Sequence, residues 1–240
     1  MKIITSLCVA IICLIGFSIA THGQKKSDVW TEWTRKDAEK ILKSSPWAQT
    51  QVDTDLTEMF YTPTNRGGPN SSARGREGAT NQEVTLSYHI RFFSARPIRQ
   101  ALARLYQLQR QPNAEEMQGL ESFANAVPEK VIIVTVSYES SDGRTAGRAM
   151  QIFESAITST LKNKVYLERK DGARVFLQEY VPPGKDGFGA RFVFPRFLQE
   201  RPFISDDSGE IRFYAELAEA MKINMRFSTS EMKYNNALEY

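Results

Sequence analysis

His22 and His89 are the only imidazoles in the chain, and Cys8 and Cys13 are its only thiols. Both cysteines lie in the apolar run 3–20 behind Lys2, which ends with Ser18 and Ala20, the small residues at minus three and minus one that a signal peptidase requires. The mature chain is therefore expected to begin near Thr21 without a cysteine. His22 falls in a polar stretch, so neither a zinc cluster nor a Cys–His nucleophile is expected, and no cofactor is implied. A Ser-His-Asp arrangement would have to use His89 as its base, with a hydroxyl and a carboxylate converging on its strand. Its odd position in the local alternation instead reads as a solvent-facing strand residue.

Carboxylates are the other candidates. Asp206, Asp207 and Glu210 cluster in DDSGE, but without the glycine and glutamate spacing of an EF-hand. The bland reading is a polar turn. A carboxylate-dependent hydrolase using these residues is the alternative, because catalytic carboxylates converge from distant positions that spacing does not report. Gly184, Gly187 and Gly189 precede no helix pattern and make no phosphate-binding fingerprint.

The one charge anomaly lies between positions 66 and 110. Arg66, Arg74, Arg76, Arg91, Arg96, Arg99, Arg104 and Arg110 face only Glu77 and Glu83, so the segment is +6 in a chain of formal charge +3. Arginine suits bidentate contacts to carboxylate or phosphate. Arg74, Arg76, Arg96, Arg99 and Arg104 are the binding candidates, with an anionic polysaccharide or lipid surface as the partner; nucleic acid is not expected. The bland alternative is a solvated face partly neutralised by Glu115, Glu116 and Glu121.

These residues must be positioned by the elements around them. All three tryptophans, Trp30, Trp33 and Trp47, sit in WTEWTRKDAEKILKSSPWA. Thr34 followed by Asp37 reads as a capped helix start, Ala38, Ile41 and Leu42 as its apolar face, and Pro46 as its stop. The tryptophans are expected to pin this helix to the fold; the alternative is an aromatic ligand platform. WTEW, DAEKIL and SPWAQT, with MRFSTSEMKYNNALEY at the far end, resemble a group of uncharacterised secreted proteins of soil bacteria. That resemblance implies an exported α+β protein and brings no catalytic residue with it.

Along the mature chain, 21–29 reads as a linker. A strand with inward even positions Val52, Thr54, Leu56 and Phe60 is expected at 48–61, and a mobile glycine-rich loop at 62–81. Val84 to Phe92 alternates as a strand that should pair antiparallel with the one before the loop. Helices follow from Pro97 to Pro112 and over 114–126, then a doubly covered strand at VIIVTV and a helix over 146–161. Val165 and Leu167, an Asp-Gly turn, and Val175, Leu177 and Tyr180 read as a hairpin. Further strands are expected at Phe192 and Phe194, at Ile211 to Ala215 and at Ile223 to Phe227. The order predicts one α+β domain over 30–240, with a mainly antiparallel sheet and about four helices packed on it. The expected function is an exported, periplasmic or extracellular non-enzymatic module that binds an envelope or anionic ligand. A membrane anchor at 3–20 is the competing reading of the leader.

Overall fold

The computed structural model describes residues 29–54 and 84–240. The leader at 1–20, the linker up to residue 28, the second half of the strand expected at 48–61 and the loop expected at 62–81 lie outside the described residues, as do Arg66, Arg74 and Arg76. The described chain is α+β, with five helices and thirteen strands, every strand pairing antiparallel.

Thr34 and Asp37 close a capping box on α1 (Arg35–Lys43), the Asp37 amide donating to Thr34 Oγ1 at 3.2 Å and the Thr34 amide to Asp37 Oδ2 at 3.0 Å. Ala38, Ile41 and Leu42 are buried from this helix, and Trp30, Trp33 and Trp47 are buried beside it. Next come β1 (Ala48–Asp53), β2 (Leu86–Phe92), α2 (Arg96–Arg110) and α3 (Ala114–Asn125). The run VIIVTV opens β3 (Val131–Ser140), the central strand of a five-stranded sheet.

The helix expected over 146–161 is two. Asp142 accepts from the Thr145 amide at 2.8 Å, so SSDG is a helix cap and α4 spans Gly143–Ser155. Ala156 and Ile157 are extended, and a short α5 (Thr158–Leu161) follows. The break falls where ITST brings β-branched and hydroxyl side chains together, residues that lose rotamer freedom or compete for backbone groups in a helix. Met150 and Ile157, which a single helix over 146–161 would set on its apolar stripe with Ala149 and Phe153, are exposed.

The remaining strands are β4 (Val165–Arg169), β5 (Arg174–Phe176), β6 (Glu179–Val181), β7 (Ala190–Pro195), β8 (Phe197–Leu198), β9 (Arg201–Pro202), β10 (Glu210–Ala218), β11 (Met221–Ser228), β12 (Lys233–Tyr234) and β13 (Ala237–Leu238). They assemble into a sheet of order β1-β2-β3-β7-β6, a second of order β11-β10-β4-β5, and two small ribbons. The two larger sheets face each other across aromatic contacts: Phe92 meets Phe227 at 4.9 Å, and Phe213 meets Phe192 at 5.4 Å and Phe194 at 6.2 Å. Such rings bury large areas and prefer edge-to-face or tilted geometry. At one end Phe153 of α4 stacks on Tyr138 at 5.1 Å.

The edges of the two sheets meet at two seams. At the first the backbone itself crosses over. The Leu177 amide donates to Val165 O at 3.0 Å in the four-stranded sheet, and the next amide, Gln178, donates to Val193 O at 2.8 Å in the five-stranded one. Tyr180, expected in the β4–β5 hairpin, therefore belongs to the other sheet. At the second seam β1 and β11 do not pair. Their connection is the Gln51 side-chain amide, whose Nε2 donates to Lys222 O and whose Oε1 accepts from the Asn224 amide, both at 2.9 Å.

Candidate functional site

The second seam opens into a groove of about 630 Å³ between the end of α1, the first half of β1 and the far part of β11, with Lys43, Ser45, Thr50, Met225 and Glu231 among its lining residues. Strand geometry explains its walls. A residue's N–H and C=O point to the same side of a strand, and that side alternates along the chain. The Phe92 amide donates to Trp47 O, so the odd residues of β1 bond to β2 and the even ones face outward. Ala48 is closed by reciprocal bonds with Ser45 at 2.9 and 3.1 Å. Thr50, the next outward residue, has backbone groups with no partner among the described residues. On β11, Lys222 and Asn224 turn outward to Gln51, so Arg226 must turn outward as well.

The same register decides which side chains share a face. Thr50 stands opposite His89, and His89 opposite Ser137. His89 is buried, only 7% exposed, which corrects its reading as a solvent-facing residue: the end of α1 covers this outer face, where Arg91 Nε donates to Leu42 O at 2.7 Å. Thr50 Oγ1 lies 2.9 Å from His89 Nδ1, and Glu139 Oε1 lies 3.0 Å from Nε2, off the straight line of a hydrogen bond. A carboxylate at Nε2 favours the tautomer with its proton there, leaving Nδ1 to accept from the Thr50 hydroxyl. Lys43 O, at 3.3 Å, is that hydroxyl's second option.

A hydroxyl bonded to the imidazole and a carboxylate within ion-pair distance of its other nitrogen thus converge on His89, the residue types that a triad on it requires. Burial, with Arg91 and Lys43 nearby, lowers the His89 pKa against the opposing pull of Glu139, so the ring is neutral at neutral pH. A neutral imidazole against a hydroxyl can accept its proton. Sequence reasoning named His89 and missed Thr50 and Glu139. The signal for both was cross-strand register, which becomes readable only once pairing is known.

The even positions of β1, expected to be buried, share this outer face, and Val52 is exposed. The residues on the other face, Gln49, Gln51 and Asp53, are polar because β1 is an edge strand standing at the seam rather than over the core. Gln51 Nε2 also donates to Asp53 Oδ1 at 3.1 Å.

The described arginine candidates each have partners within the fold, Arg99 buried and Arg96 and Arg104 half-buried. Arg99 is buried and donates to four carbonyls: Phe123 O and Phe93 O at 3.2 Å each, and Ser94 O and Ala126 O. Two of these belong to the C-terminal end of α3, where carbonyls lack helical partners and the dipole favours a cation. Burial lowers the Arg99 pKa to about 10. Arg104 Nε donates to Trp33 O at 2.6 Å, and Arg96 pairs with Glu239 at 3.1 Å. These three form no common exposed cationic face; Arg74 and Arg76 lie outside the described residues.

The acidic cluster is likewise divided. Asp206 pairs with Lys233 at 3.0 Å and Glu210 with Arg226 at 2.9 Å, while Asp207 lines a separate hollow of about 400 Å³ with Arg169 and Asp171. Trp30, Trp33 and Trp47 are buried in the core, and Trp47 Nε1 donates to Glu239 O at 2.8 Å. Among the described residues no group of three or more His, Cys, Asp or Glu is placed to hold a metal, and no helix is long and apolar enough to cross a membrane. No family model, curated protein or solved structure matches the chain.

Proposed function

We propose that the chain is an exported, non-enzymatic module that holds a partner in the groove between β1 and β11. The observation that carries this reading is the groove itself, lined by Thr50 of β1 and Met225 of β11; the outward peptide groups of Thr50, and of Arg226 next to Met225, have no partner among the described residues. Unpaired edge groups are a standing template for association, and proteins normally cover or pair them. The arginine candidates for an anionic partner support it less, because Arg96, Arg99 and Arg104 already have partners within the fold. Export rests on the 3–20 run and its small-residue site. Mass analysis of the exported protein should find a mature start near Thr21, and an intact Met1 in the membrane fraction would show an anchor.

A hydrolase is the second reading, and Thr50–His89–Glu139 favours it more than Asp206, Asp207 or Glu210 do. In it the Thr50 hydroxyl attacks an acyl carbon while its proton passes to His89 Nδ1; the imidazolium gives that proton to the departing alcohol or amine, and water then hydrolyses the Thr50 ester to release the acid. A panel of ester, peptide and glycoside substrates separates the two. The module shows no turnover; turnover abolished in Thr50→Val and His89→Gln replaces it with the hydrolase.

A further inference from the structure

We propose that the seam takes an extended, proline-free peptide segment of a partner protein as an added strand; this deepens the module reading and rests on it. The Gln51 amide already does at one point what such a strand would do along its length. One amide unit donates to the carbonyl of Lys222 and accepts from the amide two residues later, Asn224. This is the bonding of a parallel strand, in which one residue donates to a carbonyl at i and accepts from the N–H at i+2.

The next such position along β11 is Asn224 O with Arg226 N–H. Both point out of the sheet by the alternation set at Lys222 and Asn224, and neither has a partner among the described residues. Across the groove, Thr50 N–H and C=O present the opposing edge. A peptide continuing the line of the Gln51 amide would bond to one edge or both. Main-chain bonds would supply its affinity and alternate side chains its specificity. Lys43 and Glu231 give the lining both signs of charge, and Met225 gives it one apolar wall, so a segment of low net charge fits. Proline is excluded because it has no N–H to give to Asn224 O.

The test uses displayed random dodecapeptides selected on the immobilised full chain, with the best binders synthesised and measured against wild type, Arg226→Ala and Arg226→Pro. Because the Arg226 N–H points away from β10, proline there spares the ladder, as edge positions allow. The expected result is near-wild-type affinity for Arg226→Ala and a loss of about tenfold for Arg226→Pro, the effect of removing one main-chain bond and crowding its neighbour. If the proline variant does not fold, N-methylation of alternate peptide amides asks the same question on wild type and should abolish binding in one of the two phases. In hydrogen exchange, the Arg226 amide should exchange freely in the unbound protein and become protected by the peptide. Equal binding to the alanine and proline variants, or no selected binder, overturns the strand site. So does protection of Arg226 in the unbound monomer, which would show a seam filled from within the chain. A wild-type dimer that Arg226→Pro makes monomeric would assign the seam to a second copy and likewise overturn the proposal. None of these outcomes produces substrate turnover, the result that would sink the module reading itself.

Discussion

The two seams do the same job, joining an edge of one sheet to an edge of the other, with different chemistry. At Leu177 and Gln178 consecutive backbone amides donate into different sheets; Leu177 is buried, and the Tyr180 hydroxyl donates to Phe153 O at 2.5 Å. At Gln51 one side-chain amide spans the gap, and Thr50 and Arg226 turn peptide groups outward beside a groove. A seam made by the chain itself satisfies its polar groups automatically, since each residue supplies one donor and one acceptor at fixed spacing. A seam made by a side chain satisfies only the two groups it reaches. The first is built for stability, and the second leaves room for a ligand.

This contrast can be broken most sharply at the flank of the open seam. Trp47→Ala should cost about 3–5 kcal/mol, the usual loss on emptying a large buried aromatic site; an unchanged urea midpoint would show that the flank is a soft ligand platform instead. Leu177→Ala at the closed seam should cost about 3 kcal/mol by the same cavity argument, measured by denaturant unfolding. A loss below 1 kcal/mol would mean the crossing is no better packed than its counterpart. Gln51→Leu keeps the bulk and removes the bridge, and should cost about 1 kcal/mol for two exposed bridging hydrogen bonds and the one to Asp53. Faster exchange of the Asn224 amide should accompany it, and a loss as large as that of Leu177→Ala would erase the distinction between the seams.

The smallest expected effect is a pH dependence behind the open seam. His89 in the fold has a pKa below its ordinary 6.5, so as pH falls through 6.5 the unfolded chain takes up a proton that the folded chain resists. Stability is full above 6.5 and declines toward the lowered folded value. Asp142, Asp171 and Glu216, all shifted down, act at and below the ordinary carboxylate range, so that among the described groups with a shifted pKa this window belongs to His89. Melting temperature should therefore drop slightly between pH 7.5 and 5.5 in wild type and less in His89→Gln. A rise in wild type would mean that Glu139 outweighs burial.

Much of the fold was written locally. The Thr34–Asp37 cap, the VIIVTV strand and the Asp-Gly turn with Gly172 at φ +85° each depend on a few neighbouring residues, as does the α+β class that follows from their order. The ribbon turn at Asn235 and Asn236, both at positive φ, is equally local, since paired asparagines suit that conformation. The split of the helix at Ala156 was half-legible in ITST.

Tertiary structure alone decided the rest, and the reason is the kind of partner involved. Arg99 is held by carbonyls up to 27 residues away, and every residue carries a carbonyl, so composition gives no hint of which arginine will be buried. Thr50, His89 and Glu139 meet through strand register, where a shift of one residue would turn each to the opposite face. Gln51 reaches Lys222 across 171 positions. From its own sequence this chain determined its elements and its class; which edges would meet, and which peptide groups would be left facing a groove, depended on how two sheets of unequal strand number close against each other.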